Sequence, residues 1–153
     1  MHYLIDGHNL IPKLPGMSLR AVDDEQRLIA LLQEYCRRSR NQVEVYFDNA
    51  PVGQAGRQKF GVVVAYFVSQ GRSADDAIRA RLGKLGRSTG NWAVISSDQR
   101  IQMDARLVHA RPIPSERFVQ ELRRVLNRAA ACGWPVRVRL SSMRVIFDAP
   151  SNW

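Results

Sequence analysis

The residues best suited to do chemistry in this chain are aspartates placed at the ends of predicted strands and the starts of predicted helices. Three short apolar runs, each typical of a buried strand, are followed by an aspartate directly or after two serines, and a further acidic pair opens a helix. These acids are Asp6, Asp48, Asp75, Asp76 and Asp98. The carboxyl ends of parallel strands lie along one edge of a sheet, so we expect these side chains to converge in one crevice.

Several carboxylates in one crevice repel one another unless a cation neutralises them. Oxygen ligands without Cys, and with few His, favour Mg²⁺ or Mn²⁺ over zinc or copper, and these ions orient phosphodiesters for attack by water. Asp6, Asp48, Asp75 and Asp98 are therefore the candidate catalytic and metal-binding residues. Asp76 is the weaker member of its pair, because adjacent helix residues point about 100° apart.

Capping is the simpler interpretation of any one of these acids, since Asp is a preferred residue at helix starts and turns. Asp75 and Asp98 are the most open to it. Three apolar strands each followed by Asp, with a fourth acidic site, favour a functional cluster over separate caps. Asp23, Asp24 and Asp104 are expected to be solvated charges on helices.

Strands and helices alternate along the chain, a pattern typical of an α/β fold with a mostly parallel sheet covered by helices. The expected helices begin near residues 23, 74, 98 and 115. The expected strands are 2–5, 43–47, 60–68, 91–95 and a short one at 108–110. A breaker-rich loop is expected at 51–59, and Tyr66, Phe67 and Trp92 are expected in the core.

The end of the chain has a different pattern. Residues 135–140 alternate apolar side chains with arginines, and a second apolar run follows at 143–147, which predicts a C-terminal β-hairpin. It is either a lid over a sheet edge or a ribbon that contacts RNA. We therefore divide the chain into a nuclease-like domain at 1–132 and a hairpin appendage at 133–153.

Charge points to a polyanionic partner. The chain carries 23 Lys and Arg against 14 Asp and Glu, a net charge of +9, and all but three of the bases are Arg. Arg suits phosphate contacts and base stacking, so nucleic acid is the leading ligand class and a membrane surface the lesser one. The candidate phosphate contacts, chosen for their loop positions, are Arg20, Arg57, Lys59, Arg72 and Arg100.

No apolar run approaches the roughly 20 residues that a membrane-spanning helix needs, and no leader resembles a signal peptide. We therefore expect a cytoplasmic protein that does not insert in membranes. The two cysteines show no metal-binding spacing and are expected to be buried thiols. The sequence leaves the oligomeric state open.

Four segments together resemble the NYN-domain, YacP-like branch of the PIN-like nucleases. They are Ile5-Asp6-Gly7-His8-Asn9-Leu10-Ile11, Tyr46-Phe47-Asp48, Ser73-Ala74-Asp75-Asp76-Ala77-Ile78 and Ser96-Ser97-Asp98-Gln99-Arg100-Ile101-Gln102. The opening motif and the Ser-Asp element are fairly specific in combination, and the resemblance covers about residues 1–129.

The resemblance implies a three-layer α/β/α sandwich and metal-dependent endoribonuclease activity, with some relatives acting on RNA at the ribosome. It also implies that Asp6, Asp48, Asp75 and Asp98 are metal-site acids. By the same resemblance, Asn9 would position Asp6 or a phosphate, and Ser97 would support the last acid. His8 departs from the pattern, since the family often has Tyr there. We interpret it as a turn histidine, with stacking on a base or contact with a phosphate as the alternative.

Two other functions fit parts of the pattern. A noncatalytic RNA- or ribosome-binding protein would keep the basic surface and a vestigial acidic cleft, although a full set of acids argues against it. A phosphatase with Asp6 as nucleophile would need a second acid two residues later. That position is His8, so the phosphatase ranks low.

Overall fold

The computed structural model describes residues 1–17 and 23–128. Within them, six strands form one sheet in the order β3-β4-β2-β1-β5-β6, parallel throughout except for the edge strand β3, which pairs antiparallel with β4. The strands are β1 His2–Asp6, β2 Gln42–Ala50, β3 Gly56–Phe60, β4 Val63–Ser69, β5 Trp92–Ile95 and β6 Arg111–Ile113. The expected mostly parallel sheet is confirmed.

Helices cover both faces of this sheet, as the expected three-layer sandwich requires. In the described residues they are α1 Gly7–Leu10, α2 Asp24–Ser39, α3 Ala74–Leu85, α4 Gln99–Leu107 and α5 Ser115–Arg128. Buried residues of α2 and α5 pack on one face, and those of α3 and α4 pack on the other. Strand β1 therefore reads as an unbroken apolar run, because Ile5 faces the first layer and Leu4 the second.

Two expected strands were wrong in their bounds. The run 60–68 is divided by a turn at Gly61, whose φ of 63° is left-handed, so that β3 and β4 form a hairpin inside the segment expected as a loop and a single strand. The strand expected at 108–110 lies instead at 111–113, because His109, also left-handed at 62°, ends the α4 segment. Pro112 is tolerated there because β6 is an edge strand.

Asp24 was wrongly expected to be solvated. Its side chain is buried, with a residue exposure of 1%, and it accepts a hydrogen bond at 3.0 Å from the guanidinium of Arg27, one turn along α2. The i,i+3 spacing allows such pairing, but burial depends on tertiary packing that spacing alone does not reveal.

Other expectations concern the thiols, the membrane and the C-terminus. Cys36 is buried, and burial raises the pKa of its thiol to about 11. Among the described residues, no helix has the length and apolarity needed to cross a bilayer. Cys132 and the predicted hairpin at 135–147 lie outside the described residues.

Gly7, the first residue of α1, lies against the strand that carries Asp48. A Cβ at this position would overlap the buried ring of Phe47 and lie 3.0 Å from the carbonyl oxygen of Tyr46. We expect Gly7→Ala to lower the free energy of unfolding by about 1–3 kcal/mol, measured by urea denaturation. Gly83→Ala is the control, since a Cβ on that exposed glycine of α3 meets nothing within 4 Å. It should leave stability unchanged or raise it by up to about 1 kcal/mol, and an equal loss in both variants would contradict the packing argument.

Candidate functional site

The predicted acids lie at the carboxyl edge of the central strands. Asp6 ends β1, which pairs with β2 on one side and β5 on the other. Asp48 lies where the pairing of β2 with β4 shifts register, between Phe47 and Ala50. Strand β2 was expected to end just before Asp48, but it continues to Ala50. Asp48 therefore lies at an irregularity within the strand and not at its end.

Asp6 is the most deeply buried of these acids, with an exposure of 8%. Burial raises the pKa of its carboxyl to about 6; the hydrogen bond from the backbone N–H of Asn9, at 3.3 Å, opposes this, and the charges of Asp75 and Asp48 raise the pKa further. One oxygen of the Asp6 carboxyl is therefore held by Asn9, and the charge of His8 partly opposes the effect of the two neighbouring acids on its pKa.

Asp75 links the other acids. Burial raises the pKa of its carboxyl, and the charges of Asp98, Asp48 and Asp76 raise it further, while Arg79 lowers it. The charges of Asp75 and Asp48 in turn raise the pKa of Asp6, so each of the four predicted acids interacts electrostatically with at least one other. The structure thus places these acids within electrostatic range of one another.

Asp98 caps α4 as well as belonging to this set. Its Oδ1 accepts hydrogen bonds from the backbone N–H groups of Arg100, at 2.8 Å, and Ile101, at 3.3 Å. Both capping contacts use the same oxygen, so Asp98 can cap α4 with Oδ1 and still offer Oδ2 to a ligand. The capping and functional interpretations are therefore compatible for this residue.

Asp76 differs from its neighbour as the helical rotation predicts. Asp75 is half-buried, whereas Asp76 is exposed and lies 3.8 Å from the guanidinium of Arg79. Arg79 also pairs with Asp104 at 2.5 Å. Sequence reasoning had assigned no role to this arginine, whose partner Asp104 lies 25 residues further along the chain.

Asn9 joins three elements through one side-chain oxygen. Its Oδ1 accepts from the backbone N–H of Ser97 at 2.9 Å and from the hydroxyl of Ser115 at 2.7 Å. The side chain of Asn9 thus fixes the β5–α4 turn and the start of α5 against α1, while its backbone N–H binds Asp6.

Ser97 was expected to support Asp98, but its side chain bonds the start of α5 instead. Its Oγ accepts from the N–H of Ser115 at 3.0 Å and donates to Glu116 at 2.5 Å. The direct contact with Asp98 comes from Ser96, whose Oγ accepts the backbone N–H of Asp98 at 3.1 Å. Ser115 and Glu116 carried no functional signal in the sequence beyond starting a helix.

His8 has a larger place in the site than a turn histidine. Its Nε2 lies 2.8 Å from Glu25, and its Nδ1 contacts the carboxylate of Asp48. The hydrogen bond with Glu25 raises the pKa of the imidazole, which as the imidazolium donates to both acids. Sequence reasoning missed Glu25, since 17 residues separate it from His8 and no motif joins them.

Four of the five basic candidates lie on the surface, and two of them, Arg57 and Lys59, belong to strand β3 and not to a loop as expected. Arg57, Lys59, Arg72 and Arg100 are all exposed. Arg57 and Arg72 share the lining of one cavity beside β4, while Arg100 starts α4 next to Asp98. Arg20 lies outside the described residues.

The ligand atoms that these acids offer are oxygens, the kind that a hard divalent cation prefers. Carboxylate oxygens predominate, and their mutual repulsion is the charge imbalance that a cation relieves. In residues 1–17 and 23–128, no three His, Cys, Asp or Glu side chains are grouped closely enough to hold a metal by themselves. Mg²⁺ commonly binds through one or two carboxylates, waters and substrate phosphate, so the acids fit such a site without a closed protein cage.

Comparison with known families agrees with this arrangement. The family model of the YacP-like NYN domain matches residues 3–132, well over half of the chain and all four acids. The chain belongs to the YacP-like NYN domain family. The resemblance inferred from the four sequence segments is thereby confirmed.

Solved structures show the same fold for this YacP-like NYN domain. The crystal structure of Rae1 (YacP) from Bacillus subtilis is 22% identical, with a TM-score of 0.73 over 87% of this chain and 79% of that one. A mutant of the same protein is 21% identical, with a TM-score of 0.67 over 90% of this chain and 86% of that one. The architecture is therefore the PIN-like one expected. No curated protein matches the sequence well enough to count as a relative.

The raised pKa of Asp6 makes stability depend on pH. Its ordinary value of 3.8 rises to about 6 in the fold, so the folded state binds the proton more tightly than the unfolded state. The stabilisation by the protonated acid is complete below 3.8 and is lost as pH rises through 6. Asp6→Asn, which retains the capping oxygen, should therefore be more stable than the wild type at pH 7.5, by up to about 3 kcal/mol.

Urea denaturation in EDTA buffer checks this expectation. The advantage of Asp6→Asn should widen by about 1 kcal/mol between pH 5 and pH 7.5. Asp23→Asn, at an exposed position, is the control and should show a constant difference from the wild type. A gap for Asp6→Asn that does not change with pH would contradict the assigned pKa.

Proposed function

We propose that this protein is a divalent-cation-dependent endoribonuclease that cleaves RNA phosphodiester bonds in the crevice of Asp6, Asp48, Asp75 and Asp98. The observation that carries the proposal is the electrostatic interaction among these acids. Burial and neighbouring carboxylates raise the pKa values of both Asp6 and Asp75. Carboxyl groups with strongly perturbed pKa values cluster at functional sites. Membership of the YacP-like NYN family, a PIN-like nuclease family, supports the same reaction class.

The carboxylates are oriented before any ligand arrives. Oδ1 of Asp6 is fixed by the N–H of Asn9, and Oδ1 of Asp98 by two N–H groups of α4. Mg²⁺ or Mn²⁺ bound there would orient the attacking water and stabilise charge on the scissile phosphate. The protein's part is to hold the ligand oxygens in place, so that little reorganisation accompanies the reaction.

RNA is the substrate class that the charge supports. The chain carries a net charge of +9 with 23 Lys and Arg, and four of its 14 Asp and Glu are assigned to the crevice, so the remainder of the chain is more basic than the whole. Exposed Arg57, Lys59, Arg72 and Arg100 would hold the phosphate backbone around the site. Messenger RNA on the ribosome is one source of such a substrate, so purified ribosomes belong in the assay.

The adjacent pair in α3 gives a sharp test of the catalytic set. Asp75→Asn should lower the rate of RNA cleavage by about 100-fold or more with RNA binding retained, because Asp75 faces the other acids. Asp76→Asn should lose far less, because its side chain is exposed beside Arg79. The measurement is cleavage of labelled single-stranded and structured RNAs with Mn²⁺, Mg²⁺ or EDTA, each with and without ribosomes.

Asp23→Asn serves as the matched control for a surface carboxylate, and its cleavage rate should equal that of the wild type. Equal losses in Asp75→Asn and Asp76→Asn would contradict the assigned crevice. If the wild type binds RNA but never cuts it, with either metal and with ribosomes present, the noncatalytic RNA-binding function replaces the nuclease.

A further inference from the structure

A cavity of about 360 Å³ opens on the α3 face of the sheet, beside the edge strand β3. Its volume lies near the lower end of the range for small-ligand clefts, about 300–1,000 Å³. The residues that matter for its chemistry are two tyrosines, Tyr46 and Tyr66, and two arginines, Arg57 and Arg72. A cavity with aromatic and guanidinium groups suits a ligand with a flat ring and a negative charge.

Tyr66 presents one ring face to this cavity. The other face stacks on Tyr46, with ring centroids 4.8 Å apart and planes inclined by only 7°. Tyr46 is buried and holds its side of the stack in place, whereas Tyr66, which packs against the same core cluster as expected, is only half-buried. Because β4 lies between β2 and β3, the second face of the Tyr66 ring lies toward β3.

The arginines flank this ring. Arg57 on β3 is the direct cross-strand partner of Tyr66, so both side chains leave the sheet on the same face. Arg72 approaches from the turn between β4 and α3. Both are exposed, and neither pairs with an acid among the described ion pairs, so their guanidinium groups can bind an incoming phosphate.

The cavity lies in line with the acidic crevice. The sheet register places Asp6, Tyr46, Tyr66 and Arg57 in one row across β1, β2, β4 and β3. Residues in one row project from the same face, and neighbouring strands are about 4.8 Å apart. The Tyr66 ring thus begins about 10 Å from Asp6, on the side of the sheet where Asp6 points.

We propose that this cavity is a subsite for one unpaired nucleotide of the RNA, with its base stacked on Tyr66 and its phosphates bound by Arg57 and Arg72. The inference rests on the proposed function, because it places the nucleotide on the strand whose scissile phosphate lies at the acids. A paired base has no exposed ring face, so the subsite selects single-stranded RNA next to the cleavage point.

Binding measurements test the subsite without relying on cleavage. Fluorescence anisotropy of a labelled, unstructured RNA in EDTA buffer compares Tyr66→Leu with Tyr66→Phe. The leucine removes the stacking platform but keeps apolar bulk, so affinity should fall by about tenfold or more; the phenylalanine keeps the ring and should bind like the wild type. Circular dichroism confirms that each variant is folded.

Salt dependence separates the two kinds of contact. Arg57→Gln and Arg72→Gln should each reduce the slope of log affinity against log salt by about 1, whereas Tyr66→Leu should leave the slope unchanged. Arg124→Gln is the matched control, since this exposed arginine belongs to α5 on the opposite face of the sheet. Its slope should change less than those of the two cavity arginines.

An abasic scan gives a second measurement that does not depend on a fold-sensitive variant. In the wild type, removing the base at one position of the RNA should weaken binding about as much as Tyr66→Leu does. Combined with Tyr66→Leu, the same abasic position should cause little further loss, which is the sign of a direct contact.

Failure of the inference is distinguishable from failure of the proposed function. If RNA is cleaved with divalent cation but Tyr66→Leu binds as Tyr66→Phe does and no abasic position matters, the subsite is overturned and the nuclease stands. If the stacking and salt effects are found but no RNA is ever cut, the subsite stands in a noncatalytic binder. Absence of RNA binding by the wild type overturns both.

Discussion

Repulsion among buried and half-buried carboxylates is the constraint that acts on the carboxyl edge of this sheet. A parallel sheet buried on both faces brings β1, β2 and β5 side by side, and each delivers or adjoins an acid at the same edge. The apolar interior of the sheet keeps these acids in place, and the raised pKa of Asp6 shows that its charged form is disfavoured there. The apolar core thus stabilises the fold, while burial and repulsion of the acids lower its stability.

The acids are held in place by hydrogen bonds from residues outside the acidic set. One oxygen of Asn9 ties the turn after β5 and the start of α5 to α1, and the backbone N–H of the same residue binds Asp6. The imidazole of His8 lies between Asp48 and Glu25 and compensates part of the negative charge from within the protein. The acids thus keep fixed positions although their charges repel.

The sequence predicted the parts of the site that depend on local pattern. An apolar run followed by Asp is visible in a few residues, and parallel pairing brings such ends together, so Asp6, Asp48 and Asp98 could be placed on one edge without coordinates, whereas Asp75 was placed there from its position at a helix start. The contacts of His8 with Glu25 and of Asn9 with Ser115 could not be predicted, because they join residues 17 and 106 positions apart with no motif between them. The β3–β4 hairpin was missed because β3 is exposed from Gly56 to Lys59 and lacks the apolar residues that indicate a strand, while only Gly61 and Val62 separate it from β4.

The separation of charge over the surface explains why binding and chemistry would depend on the same cation. In the proposed nuclease, exposed arginines would attract a polyanion over a range of about one Debye length, roughly 8–10 Å, but a phosphate that reached the acids would meet carboxylates at contact distance. Without a cation this last step of approach would be repulsive, so the chain alone would hold RNA at its arginines and not at its acids. The divalent ion of the proposed reaction would therefore be part of substrate recognition as well.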